Sequence, residues 1–153
     1  IIVFKHCYPV SSLKPCSGEP SVESEFKCPE NYKLQYIALK EKMHSFPGCR
    51  FLVWTGAALV KGATDEESAK RARRFFEWVR DQWDHKGDNI YIWDFFELET
   101  EGGLYLKDEY ARSSTNSHPS ESFAKKAAPL FCRRLIDVME GRADSTSVTG
   151  ERK

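Results

Sequence analysis

No charge of one sign dominates this chain: Lys plus Arg and Asp plus Glu each number 23. A balanced field excludes the basic footprint of a nucleic-acid binder and offers no pull toward acidic lipid, so the expected partner is a small or neutral molecule. No run approaches the roughly 20 apolar residues that span a bilayer, and no membrane span is expected. The five cysteines contain no C-x-x-C pair and are odd in number, a pattern that does not favour a metal site. Gly56, Gly62, Gly102 and Gly103 fit no phosphate-cradling spacing, and no cofactor is expected. The opening Ile1-Ile2-Val3-Phe4 has neither an initiating Met nor the charged flank of a signal peptide. It reads as the interior of a strand, and the expectation is a chain cut from something longer. The compartment is not legible.

What is present is ample for a core: 153 residues with ten Phe, six Tyr and four Trp suffice for one domain. Apolar runs over 1–5, 50–55 and 89–94 are rich in β-branched and aromatic residues and too continuous for one-sided strands. Each is expected to be buried on both faces of a parallel sheet. Between them, Tyr32, Tyr36, Leu39 and Met43 predict a helix over 29–44, started by Pro29. Ala69, Ala72, Phe76, Val79 and Trp83 predict another over 65–83, with Thr64 and Glu67 as a capping box. Phe123, Ala127, Phe131 and Leu135 predict a third over 120–139, kinked or divided at Pro129. The α/β order implies right-handed crossovers in one domain over 1–140. The Ser-, Thr- and Gly-rich 141–153 is expected to be a flexible tail.

The long segments 6–28, 56–63 and 95–119 each follow the carboxyl end of a strand, where open parallel sheets bind ligands. Of four histidines, His44 and His85 read as partners of helix C-termini. His6 stands at the ligand edge without identifiable neighbours. His118, in Asn116-Ser117-His118-Pro119, stands at that edge just before the last helix and is the candidate centre of chemistry. On position alone, a loop histidine beside a helix cap fits it equally well. Trp54 reads as core or as a pocket wall. The cations Lys70, Arg71, Arg73 and Arg74 read as a solvated face paired with Glu66, Glu67 and Glu77. Cys49 and Cys132 read as small hydrophobes. Cys16 and Cys28 flank one loop and can be bridged in an oxidising compartment.

The block Asn116-Ser117-His118-Pro119-Ser120, followed by a closing apolar helix, resembles the last block of the SGNH (GDSL-type) hydrolases. The strands Phe51-Leu52-Val53-Trp54-Thr55-Gly56-Ala57 and Tyr91-Ile92-Trp93-Asp94-Phe95-Phe96, and the opening Ile2-Val3-Phe4-Lys5-His6-Cys7-Tyr8-Pro9, look similar to the strands before that block. The resemblance covers about residues 1 to 139, and only the His block is sharp. It implies a three-layer α/β/α, flavodoxin-like fold, here without its first strands, and an ester hydrolase acting on a carbohydrate or small acyl ester. It also implies His118 as general base to a serine lying upstream, and association with that missing N-terminal half. Two departures stand out. Thr115 occupies the position of the family's Asp, leaving Asn116, Ser117 or the more distant Asp94 to support His118. Pro9, Val10, Ser11 and Ser12 occupy the position of the oxyanion Asn, so Ser11, Ser12 or backbone N–H groups near Gly56 would replace it. The alternative is a non-catalytic SGNH-like or flavodoxin-like binding domain that has lost the triad.

Overall fold

A computed structural model describes residues 1–7 and 11–152. It is mixed α/β with a three-stranded parallel sheet. β1 (Ile2–Lys5), β2 (Phe51–Trp54) and β3 (Ile90–Trp93) lie in the order β1-β2-β3. Ile2 pairs with Phe51, and Phe51 with Ile90. Alternation along β2 divides the core. Phe51 and Val53 join Tyr32, Tyr36, Phe75 and Phe76 on one face, while Leu52 joins Trp93, Phe123 and Ala127 on the other.

β2 and β3 are buried as expected, but β1 is not: among the described residues both β1 and β3 are edge strands, yet the helix Glu121–Met139 packs on β3 while Ile2 and Val3 of β1 are left about half exposed. α1 (Pro29–His44) has the predicted bounds. α2 (Glu66–Trp78) passes into a π-turn over Val79–Trp83, closed by Asp84 N–H on Val79 C=O at 3.0 Å. Its N-cap is Asp65, not Thr64: the Asp65 carboxylate accepts from Ser68 N–H at 2.8 Å, a stronger acceptor than a hydroxyl at the positive helix end.

The long segment 95–119 contains α3 (Phe95–Thr100) and a hairpin of β4 (Ala111–Ser113) with β5 (Asn116–Pro119). α4 (Glu121–Met139) follows, capped by Ser120 and running as one helix through Pro129. The expected flexible tail is docked over 141–152. Trp93 Nε1 donates to Thr149 C=O at 3.1 Å, and Asp94 N–H donates to Val148 C=O at 2.9 Å. The buried Arg134 guanidinium donates to Ile92 C=O at 2.8 Å and to Ala143 C=O at 2.6 Å. These bonds satisfy backbone groups that a polar composition alone gives no means of placing. Among the described residues no helix is long and apolar enough to cross a membrane.

Candidate functional site

The three segments that leave the carboxyl ends of the strands converge on one open groove of about 590 Å³. Ser12 comes from the first, Leu59 and Ala63 from the second, and Thr115, Asn116, Ser117 and His118 from the third. Two anchors hold the third segment. Ser117, buried in β5, accepts Val60 N–H at 3.1 Å, tying the hairpin to the chain after β2. At Gly62 a Cβ would lie 2.6 Å from Ser114 C=O, so a side chain there would push the two turns apart.

Asn116 orients His118. Its Oδ1 accepts the His118 backbone N–H at 3.0 Å, which identifies that atom as the amide oxygen, and the same oxygen lies 2.8 Å from His118 Nδ1. An amide oxygen only accepts, so Nδ1 carries a proton, and in the neutral imidazole the lone pair is then on Nε2. The imidazole is thereby held in the tautomer a general base needs, by a group without charge.

A second brace lies behind the hairpin. Glu101, at φ 45°, bonds Lys107 and Tyr110, and these contacts hold its carboxyl down at about 2. Tyr110 stacks on Phe123 of α4 at 4.5 Å, and its C=O accepts Ser120 N–H at 2.7 Å.

The other candidates lie away from the groove lining. Ser11 is buried and donates its hydroxyl to Ala57 C=O. Pro9 and Val10 lie outside the described residues. Trp54 packs against Trp93 at 4.2 Å and against Phe131 at 4.9 Å, with Lys5 Nζ 5.1 Å from its ring centre. Gly56 faces the ring of Phe76, where a Cβ would come within 2.1 Å. Asp94 caps α3: Oδ1 accepts from Thr55 Oγ1 at 2.9 Å and Glu97 N–H at 3.2 Å, and Oδ2 pairs with Arg80 at 3.2 Å. Cys132, expected in an apolar setting, is exposed, and Cys49 is half-buried. Cys16 and Cys28 are bridged.

His6, at the end of β1, sits between Tyr32 and Tyr36 with Nδ1 3.1 Å from the Tyr36 hydroxyl; burial and the charge of Lys27 bring it down to about 4, so it is neutral at neutral pH. His44 pairs with Asp88 at 3.1 Å, and His85 touches Lys40.

The sequence reading missed Glu99. It is fully buried on α3, and Oε2 accepts Ala58 N–H at 2.7 Å while Oε1 has no hydrogen-bond partner among the described residues. Burial pushes its carboxyl up to about 8 against the opposing Ala58 N–H and Lys5 charge. Glu99 and Ser117 thus hold alternate N–H groups, those of Ala58 and Val60, in the segment that lines the groove. The signal in the sequence, a Glu between Leu98 and Thr100 in an acidic run, is indistinguishable from a solvated face. No protein-family model, no curated protein and no solved structure matches this chain.

Proposed function

We propose that the groove at His118 is the acyl-transfer site of an SGNH-type hydrolase of carbohydrate or small acyl esters. The observation that carries this reading is the Asn116 Oδ1 contact to His118 Nδ1 at 2.8 Å, which selects the neutral tautomer with its lone pair on Nε2. A serine from outside residues 1–153 attacks the ester carbonyl, and His118 Nε2 takes its proton. The alcohol then departs with that proton, and water cleaves the acyl-serine by the same route. With Ser11 committed to Ala57 C=O, the oxyanion would rest on Ser12 or on backbone N–H groups. Asn116 orients the imidazole without stabilising the imidazolium, so the expected rate is below that of an acid-supported base.

The finer fold in this reading is a three-layer, flavodoxin-like sandwich. The two core clusters on opposite faces of the sheet support it. The half-exposed β1 edge is where further strands of the N-terminal half would pair. The test is aryl-acetate hydrolysis by the full-length parent. His118→Ala, shown to fold by circular dichroism, should lose at least a hundredfold in kcat; a wild-type rate would overturn the assignment. The neutral Asn116 favours a second reading, a binding domain that keeps the fold without the chemistry. Under it the folded parent is inactive with His118 intact.

A further inference from the structure

We propose that Cys16 and Cys28 are a reversible dithiol–disulfide couple that exchanges with an anionic low-molecular-weight thiol, taken up in the cationic groove over Cys16. The groove, about 520 Å³, lies between α1 and α2 and is lined by Cys16, Glu30, Lys33, Arg71 and Arg74 with neighbouring apolar groups.

The two sulfurs are unequal. Cys28 is fully buried, whereas Cys16 is partly exposed and lines the groove, so attack falls on Cys16 and Cys28 is the leaving sulfur. Cys28 is also the N-cap residue of the 16-residue α1 and makes no side-chain capping bond. A thiolate left there sits at the positive helix end. Glu30, within 4.8 Å of both sulfurs, opposes that charge.

The basic run on α2 divides in two. Lys70 is neutralised by Glu66 and Glu67, and Arg73 by Glu77 and Glu97. Arg71 and Arg74 face the groove instead, where Lys33 of α1 joins them. Among the described residues none of these three forms an ion pair; Arg71 donates to Leu13 C=O at 2.8 Å and Arg74 to Lys70 C=O at 3.3 Å. Three cations against one carboxylate favour a thiol that carries carboxylates.

Hydrogen bonds hold the loop beside the disulfide. Asn31 accepts Ser21 N–H at 2.9 Å and donates to Ser24 Oγ at 2.9 Å and Phe26 C=O at 3.0 Å. Gln35 donates to Ser24 C=O at 2.8 Å, and Lys14 N–H to Lys27 C=O at 2.9 Å. Reduction therefore leaves both thiols side by side, ready to re-form the bond.

In the first step a thiolate attacks Cys16 Sγ, the Cys16–Cys28 bond breaks, and its electron pair departs on Cys28 Sγ. A second thiolate attacks the outer sulfur of the mixed disulfide and frees Cys16. Two small thiols are oxidised to one disulfide, the protein bond gains two electrons, and the two released protons go to the cysteines.

Glutathione is the probe, with mass spectrometry after rapid alkylation. The native protein should be reduced by millimolar glutathione and reoxidised by its disulfide, and Cys28→Ser treated with glutathione disulfide should hold the adduct on Cys16, releasing one glutathione. Lys33→Ala/Arg74→Ala should slow glutathione about fivefold or more, while uncharged 2-mercaptoethanol changes less than twofold. A bond that opens only in urea, an adduct that spares Cys16, or equal slowing of both thiols would overturn the proposal.

Discussion

Asn116 does for His118 what a carboxylate does in most catalytic pairs, except supply charge. Under the proposed function, Asn116→Asp gives the imidazolium a counterion as it forms. It should raise kcat of the full-length parent about tenfold or more on aryl acetates with KM little changed. An unchanged or lower kcat would remove Asn116 from the site. Glu99 makes a different prediction, in stability. Its carboxyl titrates near 8 in the folded chain against an ordinary 4.5. Across that window the unfolded chain releases a proton that the folded chain keeps, so its contribution is fully present below about 4.5 and lost as pH rises through about 8. Asp84, raised to about 7 by burial and Asp88, acts in the same direction. His6, lowered to about 4 from 6.5, acts oppositely and only below 6.5. Between pH 6.5 and 8 wild-type stability should therefore fall with rising pH. Glu99→Gln should flatten that fall and leave the share of Asp84. Urea unfolding at half-unit pH intervals measures it, and an undiminished slope would mean Glu99 ionises freely in the fold.

Just after β2, at Gly56, the ring of Phe76 of α2 occupies the space of a Cβ. Gly56→Ala should cost on the order of 2–3 kcal/mol, the usual price of overpacking a filled core, read as a lower urea midpoint at constant m-value. A loss under about 0.5 kcal/mol would show that the contact relaxes easily. Gly56 also marks the limit of sequence reading. β2, β3 and the helices α1, α2 and α4 were legible because apolar patterning reports a buried face; β1 carries the same pattern with Ile2 and Val3 half exposed. α3 was not legible, because Phe95 and Phe96 follow β3 across the single residue Asp94 and the six residues of α3 span too few turns to show a period. The hairpin before α4 was hidden for another reason: its mostly polar strands pair with each other and bury only Ala111 and Ser117. The three converging segments of the groove were legible from their lengths and positions. Its clamps, Glu99 on Ala58 and Ser117 on Val60, depend on long-range contacts that no local pattern encodes.

For the molecule as a whole, β1 is the apolar edge of the sheet. Ile2 N–H donates to Arg50 C=O at 2.8 Å, so Ile2 and Phe4 turn their backbone groups toward β2 while Val3 and Lys5 turn theirs outward. Ile1, Ile2 and Val3 are 52%, 48% and 46% exposed, so the start of the strand is apolar as well as open to pairing among the described residues. The same side of the molecule is apolar beyond the strand. Arg50 donates to the last carbonyls of α4, Val138 and Met139, both at 2.7 Å, and Ile136 and Met139 are themselves exposed. An edge of this kind recruits a strand, from its own upstream sequence where that is present and from another copy where it is not. Residues 1–153 alone should therefore associate in a concentration-dependent way. Val3→Lys, which puts a charge on the edge while its stem covers the apolar surface, should keep the chain monomeric with an unchanged circular dichroism spectrum. Sedimentation velocity across a hundredfold concentration range distinguishes the outcomes. A wild-type chain that stays monomeric throughout would mean that the edge is closed by means other than strand pairing, and would weaken the case that β1 awaits an N-terminal half.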